Sequence, residues 1–148
     1  MPEFKETIIS KLWERLSTVS GIKSIERNAK AEPAVSDMPA IRFFELLDVV
    51  EETKTQGATK YPAYKRKLTI AIESFVKASE EGAATKDLLL FVREIKKKLY
   101  EGGNTFGLQC YFIEVEASRV FRPPVGEPVA GIAIVIEIFY TEDIKNIF

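Results

Sequence analysis

Val129 to Tyr140 reads V-A-G-I-A-I-V-I-E-I-F-Y, with isoleucine at Ile132, Ile134, Ile136 and Ile138. A spacing of two places all four side chains on one face of a β-strand. The opposite face carries Ala133, Val135, Glu137 and Phe139, so it is mostly apolar as well. One face fills the protein's own core; the other needs a separate cover, such as a partner.

Outward from this strand, the other segments can be assigned by pattern. Glu3 to Ser20 reads as a helix, because Phe4, Ile8, Leu12, Leu16 and Val19 recur every three or four positions, with Trp13 widening the stripe. Glu6, Lys11, Glu14 and Arg15 populate the wetter side, and Gly21 is placed to end the helix in a left-handed cap. A short strand-like piece, Ile22 to Arg27, precedes a polar loop from Asn28 to Asp37. Pro39 stands where a strand begins, a position strands tolerate. From Ala40 to Asp48 the pattern puts Ile41, Phe43, Leu47 and Val49 on one side, and Arg42 and Phe44 on the other. Glu51 to Pro62, E-E-T-K-T-Q-G-A-T-K-Y-P, reads as a long hairpin loop. Tyr64 to Val76 returns as a strand, with Leu68, Ile70 and Ile72 toward the core and Lys67, Thr69 and Glu73 away from it.

Thr85 to Glu101 reads as a second helix with the stripe Leu88, Val92, Ile95 and Leu99, broadened by Leu89 and Phe91. Thr85 suits an N-cap, Gly102 and Gly103 suit a stop, and Lys96, Lys97 and Lys98 complement the helix dipole. Leu108 to Phe121 alternates as a strand, Tyr111, Ile113 and Val115 against Phe112, Glu114 and Glu116. The proline-rich run Arg122 to Pro128 leads into the isoleucine strand. The expected architecture is a single α+β domain over residues 1–148: a mainly antiparallel sheet of about four long strands with two helices packed on one face.

Composition removes several functions. The 148-residue chain is 46% hydrophobic and 29% charged, as expected of one globular domain. A net charge of −1 gives no strong pull toward nucleic acid or anionic membrane. Histidine is absent, which takes away the commonest general base near neutral pH and the commonest metal ligand. The single cysteine, Cys110, has no second cysteine for an internal disulfide and reads as a small packed hydrophobe in a reducing compartment. The longest uncharged apolar run, Val129 to Ile136, is far short of the ~20 residues a membrane span needs. No secretory leader opens the chain, so the cytoplasm is the expected site of assembly.

Candidate chemistry is sparse. Glu114 and Glu116 share a strand face, and Glu73 and Glu137 on adjacent strands are candidates to join them as ligands of a divalent cation in a carboxylate-based, metal-dependent nuclease. The lysine that would complete such a motif is missing from Glu114-Val-Glu116-Ala117-Ser118. No glycine-rich phosphate loop and no G-x-S-x-G elbow occur. Lys65, Arg66 and Lys67 lie near Tyr61 and Tyr64, but at a strand entry, where packing is the better account than base stacking. No catalytic residue, metal site or cofactor is expected.

The order of segments carries a resemblance. An N-terminal helix, the strand D-M-P-A-I-R-F-F (Asp37 to Phe44), a polar hairpin loop, the aliphatic strand Lys67 to Val76, an amphipathic helix, an acidic-aromatic strand and the finish G-E-P-V-A-G-I-A-I-V-I-E-I-F-Y (Gly126 to Tyr140) together resemble the tail terminator proteins of tailed bacteriophages. The likeness covers nearly the whole chain and rests on order, spacing and length rather than on any single motif. It implies an α+β subunit that forms a homo-oligomeric ring, usually a hexamer. Such a ring caps the tail tube, stops tube polymerisation and presents a surface to the head-neck connector protein; in contractile tails it also meets the sheath. DNA passes through without specific binding. The implied location is the virion tail or neck, after assembly in the bacterial host cytoplasm. A head-completion or neck adaptor protein is the nearest alternative and the nuclease the more distant one. On this reading Thr53, Lys54, Thr55, Gln56 and Lys60 of the long loop, with Val135 and Phe139 of the second strand face, contact partners, and Glu114 and Glu116 face the channel.

Overall fold

The computed structural model describes residues 4–31, 33–54, 63–77, 83–121 and 129–143, with backbone alone for 52–54, 63, 83–85, 116–121 and 143. Helix α1 spans Phe4–Ser17, strand β1 Ser24–Arg27, β2 Ala40–Lys54, β3 Ala63–Lys77, helix α2 Ala83–Leu99, β4 Cys110–Phe121 and β5 Val129–Asp143. A short 3-10 turn, Val35–Asp37, interrupts the loop expected over Asn28 to Asp37. The strands form one sheet in the order β1-β2-β3-β5-β4. Four are long and mutually antiparallel; the short β1 pairs parallel to β2 through Ser24–Ala40 to Arg27–Phe43. The fold is α+β with a mostly antiparallel sheet.

Cross-strand register shows why the isoleucine run matters. Ile134, Ile136 and Ile138 stand opposite Ile72, Ile70 and Leu68 of β3. Phe112 of β4 stands opposite Ile138, and Phe43 of β2 opposite Ile72. These side chains are buried in one cluster with Ile8, Leu12 and Leu16 of α1 and Leu88, Phe91, Val92, Ile95 and Leu99 of α2. Each fully buried isoleucine contributes roughly 1.5–3 kcal/mol of transfer free energy. Cys110 joins the cluster, and burial pushes its thiol up to about 11, which suits a packed hydrophobe and not a nucleophile.

Several boundaries differ from expectation. β2 runs on through Lys54 instead of turning at Glu51, because β3 begins at Ala63 and the ladder continues to its last pair, Lys54–Ala63. Irregularities in β2 fall between Glu45 and Leu47 and between Val50 and Glu52. The first breaks the alternation: Ile41 and Phe43 are fully buried, but Leu47 is 54% exposed and stands opposite Thr69, on the other face. Thr85 lies inside α2, which starts at Ala83, so it is not the N-cap. Leu89 does not broaden the buried stripe; it is 59% exposed. Gly102 and Gly103 do take left-handed φ values of 76° and 105° just after α2.

Arg15, expected on the wet side of α1, instead closes the end of α2. Its guanidinium donates to the carbonyls of Leu99 at 3.0 Å and Lys98 at 3.4 Å, and lies over the Phe106 ring at 5.4 Å. It thereby satisfies carbonyls that a helix end leaves unpaired. A second polar tie joins α1 to the sheet. Arg27 donates to both oxygens of Glu6 and to Glu45, and Lys5 bridges Glu45 and Asp48. Arg66 donates to Asp48, and the Tyr140 hydroxyl donates to the same carboxylate at 3.2 Å.

The Arg27 hydrogen bonds hold Glu6 below the usual carboxylate value. At Glu45, burial works to raise the value, but the hydrogen bonds from Asn28 and Arg27 outweigh it and the carboxyl sits low. A carboxylate lowered on folding contributes stability in full above its ordinary value, 4.5, and loses it as pH falls through the folded value. The urea midpoint is therefore expected to hold between about pH 5.5 and 7 and to drop below about pH 4.5. Arg27→Gln is expected to remove about 1 kcal/mol at neutral pH and to flatten that acid slope, as denaturation curves across pH would read. Ile136→Ala, which opens a cavity at a fully buried site, is expected to cost about 3 kcal/mol in the same assay.

Candidate functional site

The second face of the sheet is set by the same register. Four rows cross it. Val49, Lys67, Phe139 and Tyr111 form one; Leu47, Thr69, Glu137 and Ile113 the next; Phe44, Ala71, Val135 and Val115 the third; Arg42, Glu73 and Ala133 the fourth. The alternation that sends the isoleucines inward sends these residues here. Tyr111 and Ile113 are 45% and 46% exposed. Val135 and Phe139, expected at a partner contact, are partly exposed, and the Phe139 ring stacks on Tyr111 with centroids 5.0 Å apart. Sequence reading grouped Leu47 and Val49 with the core; the irregularity beside Leu46 moves them to this surface and leaves Leu46 57% exposed.

The charges at the centre of this face are paired. Lys67 lies 3.0 Å from Glu51 and 3.8 Å from Glu137. The hydrogen bond with Glu51 raises the lysine, so it stays a cation across the physiological range. At one end the face is closed over. Met38, Ala40 and Phe75 are buried together with Val129 packed against them. Next to them Arg42 is 3% exposed; it donates to the Ser24 hydroxyl at 3.2 Å and to its own neighbour's carbonyl, Ile41, at 2.9 Å. The rest forms an apolar strip across β2, β5 and β4, with a small ionic island at its centre.

The four acids considered together in the sequence do not converge. Glu137 stands opposite Ile113, whereas Glu114 stands opposite Ile136, so Glu114 and Glu137 lie on opposite faces. Glu73 shares the Glu137 face but is two rows away. Glu114 accepts from the Tyr100 hydroxyl at 2.9 Å and lies 3.3 Å from Lys96. Burial, reinforced by that carboxylate, pushes the Tyr100 phenol up to about 12. Glu114 thus ties β4 to α2, a role its strand position alone did not signal. The side chain of Glu116 lies outside the described residues. Among the described residues no three His, Cys, Asp or Glu side chains are grouped to hold a metal ion.

Of the loop residues expected to meet partners, Thr53 and Lys54 are on the end of β2, opposite Tyr64 and Ala63. Thr55, Gln56 and Lys60 lie outside the described residues. No described helix is long and apolar enough to cross a membrane. Among the described residues, a surface hollow of about 210 Å³ lies against Ile9, Ser10, Trp13 and Arg27, and another of about 470 Å³ lies between Lys11, Glu14, Arg15 and Lys98. Both are open to solvent, and neither brings together groups suited to covalent or acid-base chemistry. A scan against protein-family models and a search of curated proteins each give no match to this chain.

Proposed function

We propose that this protein is a structural subunit that assembles into a ring, and that the ring acts as a phage tail terminator. One observation carries the proposal: an apolar strip of Tyr111, Ile113, Leu47 and partly exposed Val135 and Phe139 on the second face of the sheet. A soluble chain rarely leaves so continuous an apolar strip bare without a use for it. We infer further that both helices cover the isoleucine face together, leaving the other face to neighbours or to a tail tube. On this reading residues 1–148 make one domain. Thr53, Lys54, Thr55, Gln56 and Lys60 reach the tube protein or the adjacent subunit. Glu114 and Glu116 line the channel and keep DNA from adhering, with Lys96 tempering the charge of Glu114. The head-neck connector, and a sheath where the tail contracts, would meet the exposed rims. A neck adaptor of the same build makes the same use of the strip, and the gene order beside a tube gene separates the two.

Electron microscopy of the purified protein over a concentration series, with and without tail tubes, is the deciding experiment. Annular particles with a central hole, or caps on tube ends, are expected; a monomer that never caps tubes sinks the reading. Ile113→Asp changes an exposed side chain, so the fold should survive with a stability change of about 0.5 kcal/mol or less. Assembly of that variant should weaken at least tenfold, as light scattering would show.

A further inference from the structure

The second face of the sheet has a pattern across its four long strands. β3 and β5 are the inner pair, and β2 and β4 flank them. The inner pair carries the central ions, Lys67 on β3 and Glu137 on β5, 3.8 Å apart. The flanks carry the bare apolar side chains, Leu47 on β2 and Tyr111 and Ile113 on β4. Glu51, the other acid on Lys67, is exposed near the end of β2, toward the rim. The centre of the face is therefore one pair of opposite charges between two apolar borders.

Such a pattern is complementary to itself. A two-fold axis that runs between β3 and β5, in the plane of contact, lays β2 of one copy over β4 of the other. Leu47 and Val49 then meet Tyr111 and Ile113. The same axis lays β3 over β5, so Lys67 of each copy faces the strand that carries Glu137 of the other. Apolar borders meet apolar borders and each central charge meets its opposite, which fixes the orientation of the partners. Strands about 4.8 Å apart and rows about 6.8 Å apart give the three open rows a footprint of roughly 400 Å² per copy. Two copies together cover roughly 800 Å² in projection and more over the relief of the side chains, an area that suits a reversible complex and falls short of a permanent one.

We propose that this face packs on the same face of a second copy, sheet on sheet, as a reversible two-fold dimer with the helices outside. The occupant is a second copy because the one surface supplies the cation, the acid and both apolar borders of the contact. The inference rests on the assembly reading above and names what covers its strip when no tail tube is present. A two-fold contact is complete at two copies, so it joins subunits in pairs and leaves ring closure to other surfaces.

Charge variants of the central pair test the contact by sedimentation equilibrium, after circular dichroism verifies folding. Lys67→Glu makes the centre of the face wholly acidic and Glu137→Lys makes its inner pair wholly basic. Each variant alone should associate at least tenfold more weakly than the unmodified chain. Mixed in equal amounts they should associate at least as tightly as the unmodified chain, because the acidic face of one meets the basic face of the other. A face that bound some different surface would show no such gain on mixing. A mixture no tighter than its components, or either variant associating undiminished, overturns the contact. Where a charge variant fails to fold, Leu47→Asp at an exposed position decides: pairing at least tenfold weaker supports the contact, and unchanged pairing overturns it. An unmodified chain that stays monomeric at millimolar concentration also overturns it, and caps on tail tubes from that monomer would leave the terminator reading standing. Pairs that pass the mixing test but never give rings or caps would uphold the contact and sink the terminator reading.

Discussion

Pairing between β3 and β5 governs the rest of the structure. It runs without a break from Ala63–Asp143 to Lys77–Val129. Because side chains alternate, the register of this ladder decides at a stroke which residues are buried with the helices and which form the second surface. A slip by one residue would send Ile134, Ile136 and Ile138 outward and bring Val135, Glu137 and Phe139 against Leu12 and Ile95. Glu137 would then be an ion in a fully apolar environment, a cost of several kcal/mol that no neighbour there offsets. Glu137, in the middle of β5's second face, therefore acts as a register marker as well as a partner for Lys67.

The same alternation explains what sequence could and could not reveal. Strands without irregularity were legible: Leu68, Ile70 and Ile72, and the isoleucines of β5, point where a period of two puts them. The stripe of α2 was legible for Leu88, Val92, Ile95 and Leu99, and it failed only at Leu89, one position past the edge of the buried arc. β2 was misread beyond Glu45, because an irregularity adds a residue without leaving a compositional mark and shifts Leu47 and Val49 to the other face. Its polar end, Glu51 to Lys54, resembled a loop because it runs past β1 and is held by the backbone ladder with β3 alone. Glu114 and Glu137 were grouped because both are strand acids; only cross-strand register, which composition does not encode, assigns them opposite faces. Arg15 was the least visible, since its function is to close a helix 83 residues away in sequence.

An asparagine meets the backbone near each flank of the sheet, at β2 just past β1 and at the start of β4. At β2, the Asn28 backbone N–H donates to the Phe43 carbonyl, and the Asn28 side-chain oxygen accepts from the Glu45 N–H. Asn28 takes a φ of 52°, a left-handed turn that asparagine tolerates better than most residues. At β4, the Asn104 carbonyl accepts from the Phe112 N–H, while its side-chain amide donates to the Phe112 carbonyl. Each asparagine occupies backbone groups that an incoming strand could otherwise use at that point. The irregularities at Leu46 and between Val115 and Arg119 disturb the flat geometry next to those plugs.

These plugs bear on how copies would meet. An unguarded edge adds strands without limit, which leads to fibres and not to a closed particle. Where these asparagines sit, strand addition is disfavoured, and contacts through side-chain surfaces, whose shape fixes one rotation between neighbours, gain relative to it. The exposed leucines of α2 and the apolar strip around Tyr111 are such surfaces. They lie on different elements, a helix and the second face of the sheet, so two separate contacts can form without competing for the same side chains.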